Sequence, residues 1–208
     1  MGDLLLLDLD NGPSEGSRRA ERFAGRLATI DLYALDRADL TPYRALIVPA
    51  FSDQEWLSAQ RAVIRAFLES GRVLLFSGHL FRPWLPGGGT FVPRPIRSPA
   101  DYEVRLLRRH PLFDGVDLAD LVYRRGVAGF FARGSNPPPP GAETLLAFAD
   151  GSPVLYLDRV SSGGTLLVHA GNDLFGYFDV PAGETTFGAR VLAWIDAEYE
   201  RLQRQGDA

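Results

Sequence analysis

The sequence predicts an α/β fold. A mostly parallel central sheet is covered by helices on both faces, with additional antiparallel strands near the C-terminal end. Three observations lead there. The segments "DLLLLDL" (3–9), "YRALIVPAF" (43–51) and "RVLLFS" (72–77) are continuous apolar runs, as buried parallel strands are. Helical patterns alternate with them. Three short strands then follow in close succession, "ETLLAFA" (143–149), "PVLYLDR" (153–159) and "GTLLVHA" (164–170), joined by the turn signals "DGSP" and "SSGG".

Each element has its own justification. The first strand ends in "DNGPSEG", a turn sequence. Over 14–28, Ala20, Phe23, Ala24 and Leu27 recur at helical spacing and predict a modest amphipathic helix. "TIDLYAL" (29–35) alternates like a half-exposed strand. A stronger helix is expected over 53–70. Ser52 and Glu55 have capping-box spacing, Trp56, Leu57, Val63, Ile64, Phe67 and Leu68 form its inner face, and Gly71 ends it. Residues 82–99 are rich in Pro and Gly and read as a long excursion. "HPLFDGV" (110–116) reads as a turn and "NPPPPG" (136–141) as stiff surface polyproline. A last helix over about 185–203 carries Phe187, Val191, Leu192, Trp194, Ile195 and Tyr199, and its polar tail is expected to fray.

Composition narrows the chemistry. At 208 residues, 46% hydrophobic and 23% charged, the chain suits a single domain, 1–208, with a full core. It contains no cysteine, which excludes disulfides, thiolate metal sites and thiol nucleophiles. All 22 basic residues are arginine, so Schiff-base lysines, Ser-Lys dyads and a P-loop lysine are excluded too. A net charge of −4 with only short basic clusters argues against nucleic acid as a partner. No apolar stretch approaches a membrane span, and "LLLLDLDNG" lacks the basic leader of a signal peptide, so a cytoplasmic location is expected.

Residues 43–79, "YRALIVPAFSDQEWLSAQRAVIRAFLESGRVLLFSGH", resemble the core of the class I glutamine amidotransferase-like superfamily: a strand, a helix closed by glycine, and a strand whose tip is a nucleophile elbow. "HPLFDGV" and 145–178 are similar to its non-amidotransferase branches, the ThuA-like proteins and the trimerisation domain of some beta-galactosidases. The resemblance implies a flavodoxin-like three-layer sandwich. It covers most of the chain and leaves 82–109 as a loop-rich insertion. The enzymes of that superfamily use a cysteine at the elbow with a later histidine and glutamate. Here the elbow falls on Ser77-Gly78, and the later strand ends in His169-Ala170-Gly171-Asn172-Asp173. Thiol-dependent glutaminase activity is therefore not expected.

Ser77, His169 and Asp173 are the candidates for any remaining catalysis, with His169 as base to Ser77. A serine elbow needs small residues two positions to either side, and Leu75 and His79 are bulky, so a structural Ser77 that caps a following helix is the simpler expectation. A second resemblance competes. "LLLLDLDNG" is similar to the nucleophile motif of haloacid-dehalogenase-like phosphatases. There Asp8 would attack phosphorus and Asp10 act as acid/base with Mg²⁺, 74–77 would supply the Ser motif, and "GNDLFGYFD" (171–179) the late acidic motif. The lysine that family requires is missing.

All these residues fall at carboxyl ends of strands, where α/β sheets hold ligands. Asp8, Asp10, Asn11, Ser77, His79, His169, Asn172 and Asp173 are therefore the expected lining of one ligand pocket. His79, His110 and His169 are too scattered for a metal motif, His110 reads as a turn residue, and neither metal nor cofactor is expected. The resulting expectation is a catalytically degenerate domain that binds a small molecule or a protein partner, with a homo-oligomer on base rates. The alternative is a hydrolase with a non-thiol site.

Overall fold

A computed structural model describes residues 2–9 and 23–206. The strands of the main sheet are β1 (Leu4–Asp8), β2 (Leu27–Asp31), β3 (Ala45–Val48), β4 (Val73–Ser77), β6 (Val104–Leu106), β8 (Glu143–Phe148), β9 (Pro153–Asp158) and β10 (Thr165–His169). Two-residue strands β5 (Val92–Pro93) and β7 (Gly134–Ser135) pair with each other, as do β11 (Pro181–Ala182) and β12 (Thr185–Thr186). The α-helices are α1 (Gln54–Ala59), α2 (Arg61–Glu69), α3 (Leu118–Val122) and α4 (Phe187–Gly206).

The sheet runs β2-β1-β3-β4-β10-β9-β8-β6. Every pairing from β2 to β10 is parallel, and every pairing from β10 to β6 is antiparallel. The sheet is therefore parallel in one half and an antiparallel meander in the other, as the apolar runs and the closely spaced late strands foretold. Two cores explain why β1, β3 and β4 are apolar along nearly their whole length, whereas the edge strand β2 is half-exposed. Leu4, Leu6, Ile47, Leu75 and Leu167 face one core with Trp194 and Ile195 of α4. Leu5, Leu7, Val48, Phe76 and Val168 face the other with Leu57 of α1 and Ile64, Phe67 and Leu68 of α2. Alternate side chains point to opposite faces, so a strand covered on both faces has no polar position to spare. Each leucine of "LLLL" is fully buried, worth about 1.5–3 kcal/mol apiece in transfer from water.

Several elements differ from expectation for identifiable reasons. The helix expected over 14–28 falls largely on residues outside those described, but its last two positions, Leu27 and Ala28, begin β2. That strand stops at Asp31, whose carboxylate accepts from Tyr33 N and caps a 3-10 turn, Leu32–Ala34. The helix over 53–70 is two helices meeting at Gln60, whose backbone (φ −93, ψ 12) leaves α geometry. Its cap is Asp53 and not Ser52. The Asp53 carboxylate accepts from Glu55 N and Trp56 N, while the Ser52 hydroxyl donates to Pro49 O. The polar tail of α4 does not fray before Gly206, because Gln203 Nε2 donates to Gly71 O and Arg201 binds Glu198. Within the loop-rich stretch 82–109, Val104–Leu106 forms the edge strand of the main sheet. His110 caps the 3-10 turn Pro111–Phe113, with Nδ1 accepting from Leu112 N.

Candidate functional site

The carboxyl ends of β3, β4 and β10 converge as expected, and each of the candidate side chains Ser77, His169 and Asp173 makes a hydrogen bond to backbone there. Ser77 and His169 end adjacent parallel strands and are register partners. Both lie on the α4 side of the sheet, in step with Leu75 and Leu167. The buried Ser77 Oγ accepts a hydrogen bond from Leu174 N at 3.0 Å. Ser77 therefore caps no helix after its own strand. It caps the 3-10 turn Leu174–Tyr177, which follows β10.

His169 is wholly buried beneath Phe131, whose ring centroid lies 4.5 Å from its own. His169 Nδ1 is 3.0 Å from Asn172 O. A carbonyl can only accept, so the proton sits on Nδ1, and Nε2 is left as a bare acceptor with no hydrogen-bond partner among the described residues. Burial pushes the His169 pKa down to about 4, so the ring is neutral at pH 7. Asp173 accepts from Ala50 N through Oδ1 at 2.6 Å, which ties the end of β10 to the turn after β3. No hydrogen bond joins Ser77 Oγ to His169.

Beside these residues a cleft of about 160 Å³ opens, lined by Ala50, Phe51, Gln54, Gly78, His79, Phe81, Gly171 and Asn172. Of the expected lining residues that are described, only His79 and Asn172 line this cleft. Ser77 and His169 are buried rather than lining it, and Asp173 holds backbone. Asp8 lines a separate 270 Å³ depression with Asp31, Tyr33 and Asp53, which Phe51 also borders. Asp10 and Asn11 lie outside the described residues. Among the described residues, no group of three or more His, Cys, Asp or Glu side chains is placed to hold a metal.

The cleft walls are held by groups that the sequence did not mark. Gly78 turns the chain off β4 at φ +130, and a Cβ there would press on Ala50 Cα and the Phe76 ring, so glycine suits the position. Asn136 clamps the next residues: its Oδ1 accepts from Leu80 N and its Nδ2 donates to Gly78 O. Gln54 clamps from the other side, donating to His79 O and accepting from Phe81 N and Arg82 N. The His79 ring stacks on Phe91 at 3.7 Å, and burial lowers its pKa, so it too is neutral at pH 7. At Gly171 the Phe131 carbonyl oxygen occupies the space a Cβ would need.

Phe51 and Phe81 form the rim. Phe51 is 89% exposed and Phe81 52%. Phe51 also holds φ +67, a left-handed conformation that costs a bulky residue about 1–3 kcal/mol. Its only signal in the sequence was position: a large apolar residue between a strand-ending proline and a helix cap.

The fold built on this sheet is shared with solved structures. No family model matches the chain, and no curated protein matches it by sequence. The Cytoplasmic Protein STM3548 from Salmonella typhimurium is similar over 92% of this chain and 98% of its own, with 11% identity and a TM-score of 0.60. The Cytoplasmic Protein STM1381 from Salmonella typhimurium LT2 is similar over 98% and 99%, with 11% identity and a TM-score of 0.52. The exo-beta-1,4-mannosidase Op5Man5 from Opitutaceae bacterium strain TAV5 is similar over 96% of this chain but 35% of its own, with 13% identity and a TM-score of 0.50. This chain thus spans about a third of the mannosidase. At such identities the likeness concerns the fold alone.

Proposed function

We propose that this chain is a class I glutamine amidotransferase-like domain without the catalytic chemistry of that superfamily, and that it works as a binding module for a small uncharged ligand at the strand-end cleft. The reading rests above all on the engagement of the three catalytic candidates with backbone: Ser77 with Leu174 N, His169 with Asn172 O, and Asp173 with Ala50 N. Ser77 and His169 make no hydrogen bond to each other and both are buried away from the cleft lining, an arrangement that does not supply an activated, accessible nucleophile. The cleft, by contrast, has the makings of a binding site: exposed aromatic rings, fixed neighbouring backbone and no charged side chain in its lining. A neutral lining favours a neutral ligand. A cytoplasmic setting belongs to the same proposal. Two similar structures are described as cytoplasmic proteins, and no helix among the described residues is long and apolar enough to cross a membrane.

The test is ligand-observed NMR with a library of neutral fragments. Binders should be retained by Ser77→Ala and lost by Phe51→Ala and Phe81→Ala. Fragment binding that ignores both phenylalanines would overturn the reading.

The alternative, a hydrolase, has one observation in its favour: His169 Nε2 is a bare acceptor one strand away from Ser77. It would require the Ser77 hydroxyl to donate to His169 Nε2 and both buried side chains to become accessible to substrate. Its carboxylate–Mg²⁺ form is less well supported, because β3 lies between β1 and β4 and sets the ends carrying Asp8 and Ser77 two strand spacings apart, about 10 Å. Turnover of 4-nitrophenyl acetate, phosphate or a 4-nitrophenyl glycoside that disappears in Ser77→Ala or Asp8→Asn would establish it.

A further inference from the structure

A second concavity, away from the cleft, has the opposite electrostatic character. It has a volume of about 630 Å³ and lies between α2 and the loop 83–88. One wall presents Arg61 and Arg65, one helical turn apart on α2, a spacing that puts their Cβ atoms about 5–6 Å from each other. No acidic residue lines it. Neither arginine forms a salt bridge among the described residues. Arg61 Nη1 donates to Ser58 O, and Arg65 makes no side-chain hydrogen bond among the described residues. Arg82, close by in sequence, differs in being paired with Glu55. In a chain of net charge −4 with abundant carboxylates, two adjacent guanidiniums without an acidic partner mark a local positive potential.

The facing wall is rigid. Leu85-Pro86-Gly87-Gly88 forms a turn closed by Gly88 N to Leu85 O, with Gly87 at φ +68, the residue pattern of a type II turn. Gly89 N donates to Pro137 O, which ties this turn to the polyproline segment. Trp84 is fixed edge-on against Phe76 and donates through Nε1 to Gln54. The concavity thus sets two guanidiniums that form no salt bridge among the described residues against an apolar wall, and it is larger than a bare inorganic anion needs.

We propose that this concavity binds a phosphorylated small molecule, with Arg61 and Arg65 gripping the phosphoryl oxygens and Pro83 and Pro86 packing on the organic part. Paired guanidiniums suit a phosphoryl dianion better than a single carboxylate, because each fork can engage two oxygens. The site is separate from the strand-end cleft and stands or falls independently of it.

Isothermal titration of the whole chain with inorganic pyrophosphate and, separately, with citrate tests this. Saturable pyrophosphate binding is expected, weakened about ten-fold or more by the Arg61→Ala/Arg65→Ala double variant. Both arginines are exposed, so that variant should fold, and an unchanged melting temperature verifies it. Phe51→Ala should bind pyrophosphate as the parent does. No pyrophosphate binding, binding unaffected by the double variant, or citrate bound as tightly as pyrophosphate would each overturn the proposal.

Discussion

The Ser77 hydroxyl accepts its hydrogen bond from Leu174 N, a backbone group 97 residues away in sequence, and so joins the tip of β4 to the turn that follows β10. Ser77→Ala should leave that buried N–H without an acceptor and lower stability by about 1–3 kcal/mol. Urea denaturation measures this directly. Ligand binding at the neighbouring cleft should survive, because Ser77 does not line it.

His169 ties stability to pH. The unfolded chain takes up a proton near pH 6.5, whereas the buried ring in the folded protein resists protonation until about pH 4. The unfolded state therefore binds more protons between those values. Stability is complete above pH 6.5 and falls as the pH drops toward 4, at up to about 1.4 kcal/mol per unit. Burial depresses His79 and His110 in the same direction, so the contribution of His169 is the difference between the parent and His169→Gln. Denaturation curves at pH 7.5 and 5 should show a smaller loss in the variant.

Glu198 governs a lower window. Burial raises its pKa, but hydrogen bonds from Arg159, Arg201 and Thr165 outweigh burial and hold the carboxylate down at about 2. Its contribution is present above pH 4.5 and is lost as the pH falls from there toward 2. Glu198→Ala strands the two arginines and should cost about 3 kcal/mol at pH 7, the lower end for a broken buried pair, since both arginines keep partial contact with water. Thermal denaturation at pH 7 and at pH 3 should show the deficit shrinking in acid.

Much of this architecture was legible in the sequence. Continuous apolar runs at 4–7, 45–48 and 73–76 identified strands buried on both faces, and "DGSP" and "SSGG" located the antiparallel meander. The helix cap was assigned one residue early because Ser52-x-x-Glu55 and Asp53 both satisfy the local pattern, and only the bond from Ser52 to Pro49 O decides between them. The site was harder to read. Strand ends placed Ser77, His79, His169 and Asn172 close together, but whether a side chain faces a cleft or a core depends on its neighbours in space. Phe131 buries His169 from the far side of a loop, and Gln54 and Asn136 shape the cleft through bonds to backbone that leave no periodic trace.

Asn136 offers a test of that clamp. Asn136→Ala removes the acceptor for Leu80 N and the donor to Gly78 O, both buried. A loss of about 2–4 kcal/mol is expected if the two bonds contribute comparably. Limited proteolysis should show faster cutting within 78–91, with the rest of the sheet protected.

The most direct test of the account concerns the reactivity of Ser77. The intact protein is incubated with a fluorophosphonate at pH 7.5, and its mass is measured. The account predicts an unmodified mass, because Ser77 is buried away from the cleft lining and His169 makes no hydrogen bond to its hydroxyl. A stoichiometric phosphonyl adduct that maps to Ser77 and vanishes in His169→Gln would contradict it.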